Sequence, residues 1–484
     1  MKKYLFELCL AFLMILSVAP ASSFSAPQHP VQDVTMLYPG AVIYVDDSNT
    51  QGPWNGSHGY PYRHIRDGIT HAVDGDTVYV FNGVYNETVT VNKSIYFIGE
   101  QQSNAIIDGG NNGSVVQVTA ENVRLRRFTV RNSGGFSGNA GITVGANLTT
   151  ISECTIFRTR NGILAENRSQ LTVTSSRFHT NGFGISTKHV FYVTIDQCIF
   201  YHNAIGTYLF DTHCVNVTNS YATTNSLGFL STKSSNILIQ HSAATDNDDN
   251  QGGMFFMDSI YITIQNCNIA NNGVGIRLVN SSACYIDQCN LSRNTHFACL
   301  STKSVSSIIL TRCLFLQNLR YGIYSVKSAF TVSWSNFENS AFYGIWSNSS
   351  RIDARYNWWG SFTGPAHTGL RRADRIIWDP KSMFYAPWVT FPLPDCGSDW
   401  QTDKIFPPPE NITPWPEHLS LPGNDTDGDG APDWWEIKWG YNPNVWEDHA
   451  HLDPDGDGLS NLEECYMDQD GASPFHKDVF LELI

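Results

Sequence analysis

The feature that most constrains this chain is a period. Nine four-residue fragments end on a small residue at Cys154, Ser176, Cys198, Ser220, Ser242, Cys267, Cys289, Cys313 and Ser335, in steps of 22, 22, 22, 22, 25, 22, 24 and 22 residues. A repeat of this length signals a solenoid, in which each unit buries its apolar side against its neighbours. Three positions before the small residue stands an aliphatic, among them Val173, Ile195, Val217, Ile239, Ile264, Ile286, Leu310 and Val332. Two positions earlier comes another, as in Val193, Val215, Ile237 and Ile262. Two positions after it comes an apolar residue such as Ile156, Phe178, Ile269, Leu291, Phe315 or Phe337. Alternation with period two means strand, and the three-residue step across the small residue means a bend. A further short strand follows Gly162, Gly184, Gly228, Gly253 and Gly275. Three strands and three bends per unit predict an all-β fold, a parallel β-helix of triangular section.

Five positions after the small residue lies an Asn in seven units: Asn181, Asn203, Asn225, Asn247, Asn272, Asn294 and Asn318. Coils stack ~4.8 Å apart, so these amides are expected to hydrogen-bond along a ladder. The Cys/Ser column is expected to point inward, with Cys154, Cys198, Cys267, Cys289 and Cys313 as buried free thiols, since Ser replaces Cys freely there. Both open ends of a solenoid need covers. Upstream, Ile65, Ile69, Ala72 and Val73 would form the apolar face of a short capping helix. Downstream, the aromatics of Arg355-Tyr-Asn-Trp-Trp-Gly-Ser-Phe-Thr-Gly-Pro365 end the period.

Residues 41–390 resemble the NosD-like, pectate-lyase-like β-helix proteins of prokaryotic cell surfaces. The residues that carry the resemblance are Ile43-Tyr-Val-Asp-Asp47, the stretch from Gly75-Asp-Thr-Val to Gly83-Val-Tyr85, the coils, and Asn357-Trp-Trp-Gly with Gly364-Pro365. The resemblance implies a right-handed helix. It specifies no function, because this fold carries lyases, hydrolases, epimerases, adhesins and inert spacers. The namesake family is tied to copper-site assembly, but no cluster of His, Met and Cys marks such a site here.

Residues 1–26 have the form of a secretory signal: Lys2 and Lys3, an apolar run from Tyr4 to Val18, and Ala19-Pro-Ala21 as a cleavage site. No later segment is apolar enough to span a membrane, so a secreted or cell-surface protein is expected. Of the net charge of −15, residues 424–484 hold 16 acids against two bases. The remaining 29 acids and 28 bases leave the body almost neutral, without the basic footprint that nucleic acid requires.

Residues 391–423 are rich in Pro and read as an extended linker. Two twelve-residue calcium templates follow within residues 424–470. The first offers Asp425, Asp427, Asp429, the Ala431 carbonyl, Asp433 and Glu436; the second offers Asp453, Asp455, Asp457, the Leu459 carbonyl, Asn461 and Glu464. Side chains at positions 1, 3 and 5 converge where a Gly at position 6 turns the loop, and Ca²⁺ takes such hard oxygen ligands. The loops resemble thrombospondin type 3-like repeats, with a dockerin as the alternative, and the resemblance implies structural calcium. His449 and His451 flank the second loop without an assigned role, Cys396 and Cys465 are candidates to pair, and residues 471–484 form a tail.

Nine positions before the Cys/Ser column lie Asn167, His189, Asp211, Lys233, Asp258, Asn280 and Ser304, one per coil at a single bend. Asp211 and Asp258 would stand ~10 Å apart with Lys233 between them. Just before the bend, Tyr208, Leu230, Phe255 and Arg277 are expected to face outward. Carboxylates, a lysine and aromatic rings along one groove suit a sugar chain, since rings stack on sugars and acid–base groups can cleave them. The leading expectation is a non-catalytic surface protein presenting this face, including His189, Tyr208, Phe255 and Arg277, to polysaccharide, surface glycans or other surface proteins. The alternatives are a polysaccharide lyase or glycoside hydrolase using Asp211, Lys233 and Asp258, and a purely architectural element.

Overall fold

In the computed structural model the described residues run from 40 to 400, except 168–169, 248–251, 303–305, 367–373 and 377–382, and continue with scattered positions between 426 and 475. The chain divides into two units, Met1–Ile405 and Phe406–Ile484. The first is a parallel β-solenoid of three sheets, with 15, 12 and 12 strands among the described residues. One coil runs through Phe191–Asp196 in sheet I, Ile199–Tyr201 in sheet II and Ile205–Phe210 in sheet III, then returns to sheet I at His213–Thr218. Each strand pairs in parallel with its counterpart one coil on, as Val193 with Val215 and Ile195 with Val217.

The period maps directly onto this architecture. The aliphatic columns of sheet I and the column through Phe178, Phe200, Phe315 and Phe337 in sheet II are buried in one continuous core. Each such side chain contributes about 1.5–3 kcal/mol relative to exposure. In sheet III the glycine column lets successive strands approach closely. A Cβ on Gly184 would stand 2.4 Å from the Gly206 carbonyl and 2.7 Å from the Phe200 ring.

The bends are held by side chains that reach between coils. Asn203 accepts the Asn181 N–H at 3.1 Å, and Asn225 accepts the Asn203 N–H at 2.9 Å. The same pattern continues through Asn247, Asn272, Asn294 and Asn318. In the Cys/Ser column the Ser hydroxyl accepts the N–H of the preceding coil, from Cys154 to Ser176 and from Cys198 to Ser220. Each thiol points back to a carbonyl two residues earlier. The five expected thiols are free and buried, and burial pushes those of Cys154, Cys198 and Cys313 up to about 12. Thiols so averse to ionising make poor metal ligands. Cys396 is also a free thiol, whereas Cys214 is disulfide-bonded.

Helix α1, Ile65–His71, covers the first coil. The Glu87 carboxylate caps it by accepting the N–H groups of Ile65 and Arg66. Ile65, Ile69 and Ala72 are buried as expected, but Val73 is 64% exposed. The helix ends at His71 and Ala72 is already extended, so Val73 leaves the helical face. At the far end Trp359 is buried on Phe337, with ring centroids 4.6 Å apart. Ser340 follows Asn318 in the register of the Asn ladder, and Asp374 takes the Ser340 N–H at 2.8 Å. The Pro-rich segment begins against the solenoid. Leu393, Gly397 and Ser398 bond in turn to Asn336, the Arg312 carbonyl and Asn290, so the chain descends the edge between sheets I and II. Gly397 has φ +96° and lies against Asn290, where a Cβ would meet Oδ1 at 2.3 Å. No helix among the described residues is long and apolar enough to cross a membrane.

The ladder makes two outcomes measurable. Asn225→Ala strips the acceptor from Asn203 and the donor from the Phe200 and Thr223 carbonyls. It is expected to cost about 2–4 kcal/mol in denaturant unfolding, whereas Cys198→Ser, which exchanges one observed member of its column for another, should change stability by less than ~1 kcal/mol. The Asp374 carboxyl is pushed from 3.8 to about 7, chiefly by burial. A group raised in the folded state stabilises fully below its unfolded value, and that contribution is lost as pH rises through its folded value. Thermal stability of the wild type should therefore fall between about pH 4 and pH 7, and Asp374→Asn, which keeps an acceptor but cannot ionise, should flatten that slope.

Candidate functional site

The bend from sheet III to sheet I carries one outward side chain per coil. Asn167, His189, Asp211, Lys233, Asp258 and Asn280 all adopt φ near +50°. Each donates its N–H to the end of the next sheet III strand, as His189 to the Phe210 carbonyl and Asp211 to the Thr232 carbonyl. Left-handed residues are tolerated here because the stack secures their backbone. Beneath them a second inward ladder, Thr212, Ser234, Ser259 and Ser281, answers the bend N–H groups. Ser304 lies outside the described residues.

Asp211 is bracketed by two imidazoles. His189 Nδ1 lies 2.5 Å from Asp211 Oδ2, and His213 Nε2 lies 3.3 Å from Asp211 Oδ1. His213 Nδ1 in turn meets the Ser235 hydroxyl at 2.8 Å. Asp211 and His189 are about two-fifths exposed. Lys233 does not bridge the two carboxylates; its ammonium lies 5.5 Å from the Phe210 ring centroid. Asp258 instead accepts a 2.6 Å hydrogen bond from Asn280 Nδ2. His213 is absent from the sequence-derived column because it opens the sheet I strand, two positions past the bend residue.

Sheet III flanks this column with rings. Pairing register sets Tyr208, Leu230, Phe255, Arg277, Leu300, Tyr324 and Trp346 in a single row. Arg277 lies over the Phe255 face at 4.7 Å, and Tyr324 and Trp346 stack at 4.3 Å. On the sheet I side Phe191, Tyr192, Ile260 and Tyr261 are exposed. The column is thus a strip of hydrogen-bonding groups between two apolar margins, repeating at the coil spacing.

In the second unit, helix α2, Asp433–Trp439, leaves the first acidic loop. Asp427 accepts the Asp429 N–H and Asp429 accepts the Ala431 N–H, which folds the loop tightly. Asp433 is engaged by the Thr426 N–H and hydroxyl, both at 2.7 Å. Asp429 and Glu436 converge with His449, their ligand-type atoms all within 4.8 Å of one another and all three residues buried. The carboxylates of Asp427, Asp429 and Glu436 fit a divalent cation, but a buried imidazole is not a donor that calcium seeks. Of the second template, Asn461 is described and buried, while Asp453, Asp455, Asp457, Leu459 and Glu464, like Asp425 of the first, lie outside the described residues.

No curated protein matches the chain in sequence. Among solved structures, the A-modules of the Azotobacter vinelandii mannuronan C-5 epimerases AlgE4 and AlgE6 are similar at 17% identity each. They cover 64% and 68% of this chain and 97% and 94% of their own, with TM-scores of 0.46 and 0.48. The catalytic unit of the GH87 α-1,3-glucanase from Streptomyces thermodiastaticus is similar at 11% identity, covering 72% of this chain and 69% of its own, with a TM-score of 0.43. The family description for a right-handed β-helix region matches residues 140–259 and 233–358. Together with the three parallel sheets, that match identifies the body of the chain as a right-handed parallel β-helix.

Proposed function

We propose that this is a secreted or cell-surface protein whose β-helix binds a polysaccharide lengthwise along the bend between sheets III and I, without cleaving it. One observation carries the proposal: His189, Asp211, Lys233, Asp258 and Asn280 present one polar side chain per coil over five consecutive coils. The coil spacing of ~4.8 Å is close to the length of one sugar ring, so each unit of an extended glycan meets one polar side chain of the column. The exposed Phe191, Tyr192 and Tyr261 offer ring surfaces beside them. The resemblance of residues 41–390 to NosD-like surface proteins fits this function. The C-terminal loops belong to it as a metal-stiffened module, for which the twelve-residue templates call for structural calcium.

A second possibility is favoured by the His189–Asp211 contact. A carboxylate on Nδ1 orients the ring and leaves Nε2 to take or give a proton, as a polysaccharide lyase or glycoside hydrolase would require. The two are separated by incubating the full-length protein with a polysaccharide panel and measuring retention and products together. Retention without new reducing ends or unsaturated products is expected. Asp211→Ala and Asp258→Ala should each weaken binding about 10- to 150-fold, the worth of one hydrogen bond to a charged group. Products that disappear in His189→Ala would establish the enzyme instead. Neither retention nor products on any polysaccharide would contradict both and leave an architectural element.

A further inference from the structure

The first C-terminal loop departs from its calcium template at one residue that the template does not contain. His449 is fully buried, and its Nε2 lies 3.3 Å from Asp429 Oδ2 and 3.9 Å from Glu436 Oε1. Neither contact to Nε2 has hydrogen-bond geometry, and Nε2, Asp427 Oδ2 and Asn461 Oδ1 are all buried without a hydrogen-bond partner. Leaving such groups unsatisfied costs about 1–3 kcal/mol each, and more for charged groups. A cation among them would satisfy the carboxylate oxygens and the imidazole nitrogen at once.

The other ring nitrogen fixes the protonation. Asn461 places its amide 3.0 Å from His449 Nδ1. With the amide nitrogen facing Nδ1, that nitrogen accepts, Nε2 must carry the proton, and Asn461 Oδ1 has no donor. Turning the amide by half a revolution, which exchanges two atoms that are assigned only from their surroundings, lets Oδ1 accept an Nδ1–H. Nε2 then holds a lone pair aimed at Asp429 and Glu436. A ligating imidazole commonly donates its second N–H in this way to a fixed acceptor. Trp435 and Tyr441 meet the His449 ring edge-on at 5.7 and 4.8 Å and hold its plane.

We infer that the first loop is a mixed carboxylate–imidazole site, with Asp429, Glu436 and His449 as ligands, which takes a divalent transition ion of the zinc class in preference to calcium. The inference rests on the proposal that this module holds metal, and changes which metal one loop selects. Calcium and magnesium take oxygen, whereas imidazole suits zinc and its first-row neighbours. With Asn461 turned to His449, the second template still offers only oxygen donors in Asp453, Asp455, Asp457, the Leu459 carbonyl and Glu464, and keeps its calcium.

The test uses the full-length protein stripped with a chelator and titrated separately with Co²⁺, as a visible zinc-class probe, and with Ca²⁺. The wild type is expected to bind one Co²⁺ per chain with a d–d absorption band that Zn²⁺ abolishes, alongside calcium uptake. In His449→Ala the Co²⁺ affinity should fall by about 100-fold or more while a calcium site remains. His449→Asp, which restores an all-oxygen loop, should exchange Co²⁺ preference for an additional calcium, and its calcium uptake verifies that the variant folds. Equal Co²⁺ binding in wild type and both variants would overturn the inference, as would calcium displacing Co²⁺ from the wild type at comparable concentration. Failure of the wild type to bind either ion would overturn the metal module itself.

Discussion

Every bend of this solenoid leaves backbone N–H groups facing inward, and the next coil must answer them. A buried donor without an acceptor costs about 1–3 kcal/mol, and the penalty would recur with every coil. Asn, Ser and Thr side chains supply the acceptor at a fixed offset, and each is itself held by the coil beyond. The Asn column does so from Asn181 to Asn318, and Ser176 and Ser220 do so for the coils that begin with Cys154 and Cys198. At the last coil the Asp374 carboxyl replaces an Asn that no further repeat can provide. The stack is therefore specified from within, by columns that admit only small or amide side chains able to answer the next bend.

That internal specification frees the outside. Residues at the bend between sheets III and I are held in the left-handed region by the ladders below, so their side chains can be chosen for something other than folding. Their contacts follow solvation more than charge. Lys233 lies over the Phe210 ring and makes no described ion pair with Asp211 or Asp258, although one coil separates it from each. An exposed ion pair contributes only about 0–1 kcal/mol and must order two side chains, so a cation over a ring competes on equal terms. Asp211 is instead shared between His189 and His213, which join the bend to the first residue of the adjoining strand.

The sequence made the repeating parts legible because stacked coils convert a sequence offset into a column. The strands, the Asn ladder, the buried thiols, the bend column and both covers followed from counting. What escaped was whatever depends on two elements with different offsets. His213 belongs to a strand start, so its approach to Asp211 crosses two columns. The Thr212–Ser234–Ser259–Ser281 ladder was hidden by the abundance of Ser and Thr elsewhere. Val73 was assigned to a helix that stops two residues earlier, a boundary that periodicity does not define. The descent of Leu393–Ser398 along the solenoid came from side-chain acceptors 57 to 108 residues away, which proline content does not reveal. His449 looked like a flanking residue because the calcium template has no place for it.

The account depends most on one claim, that a glycan lies along the column in register with the coils. The direct measurement is affinity as a function of oligosaccharide length, from disaccharide to octasaccharide, for the polysaccharide the protein retains. Register with the coils predicts that affinity rises with each added unit until the five polar positions from His189 to Asn280 are filled, and then levels off. Affinity that is independent of length, or complete with the disaccharide, would contradict it and confine recognition to a single point on the solenoid.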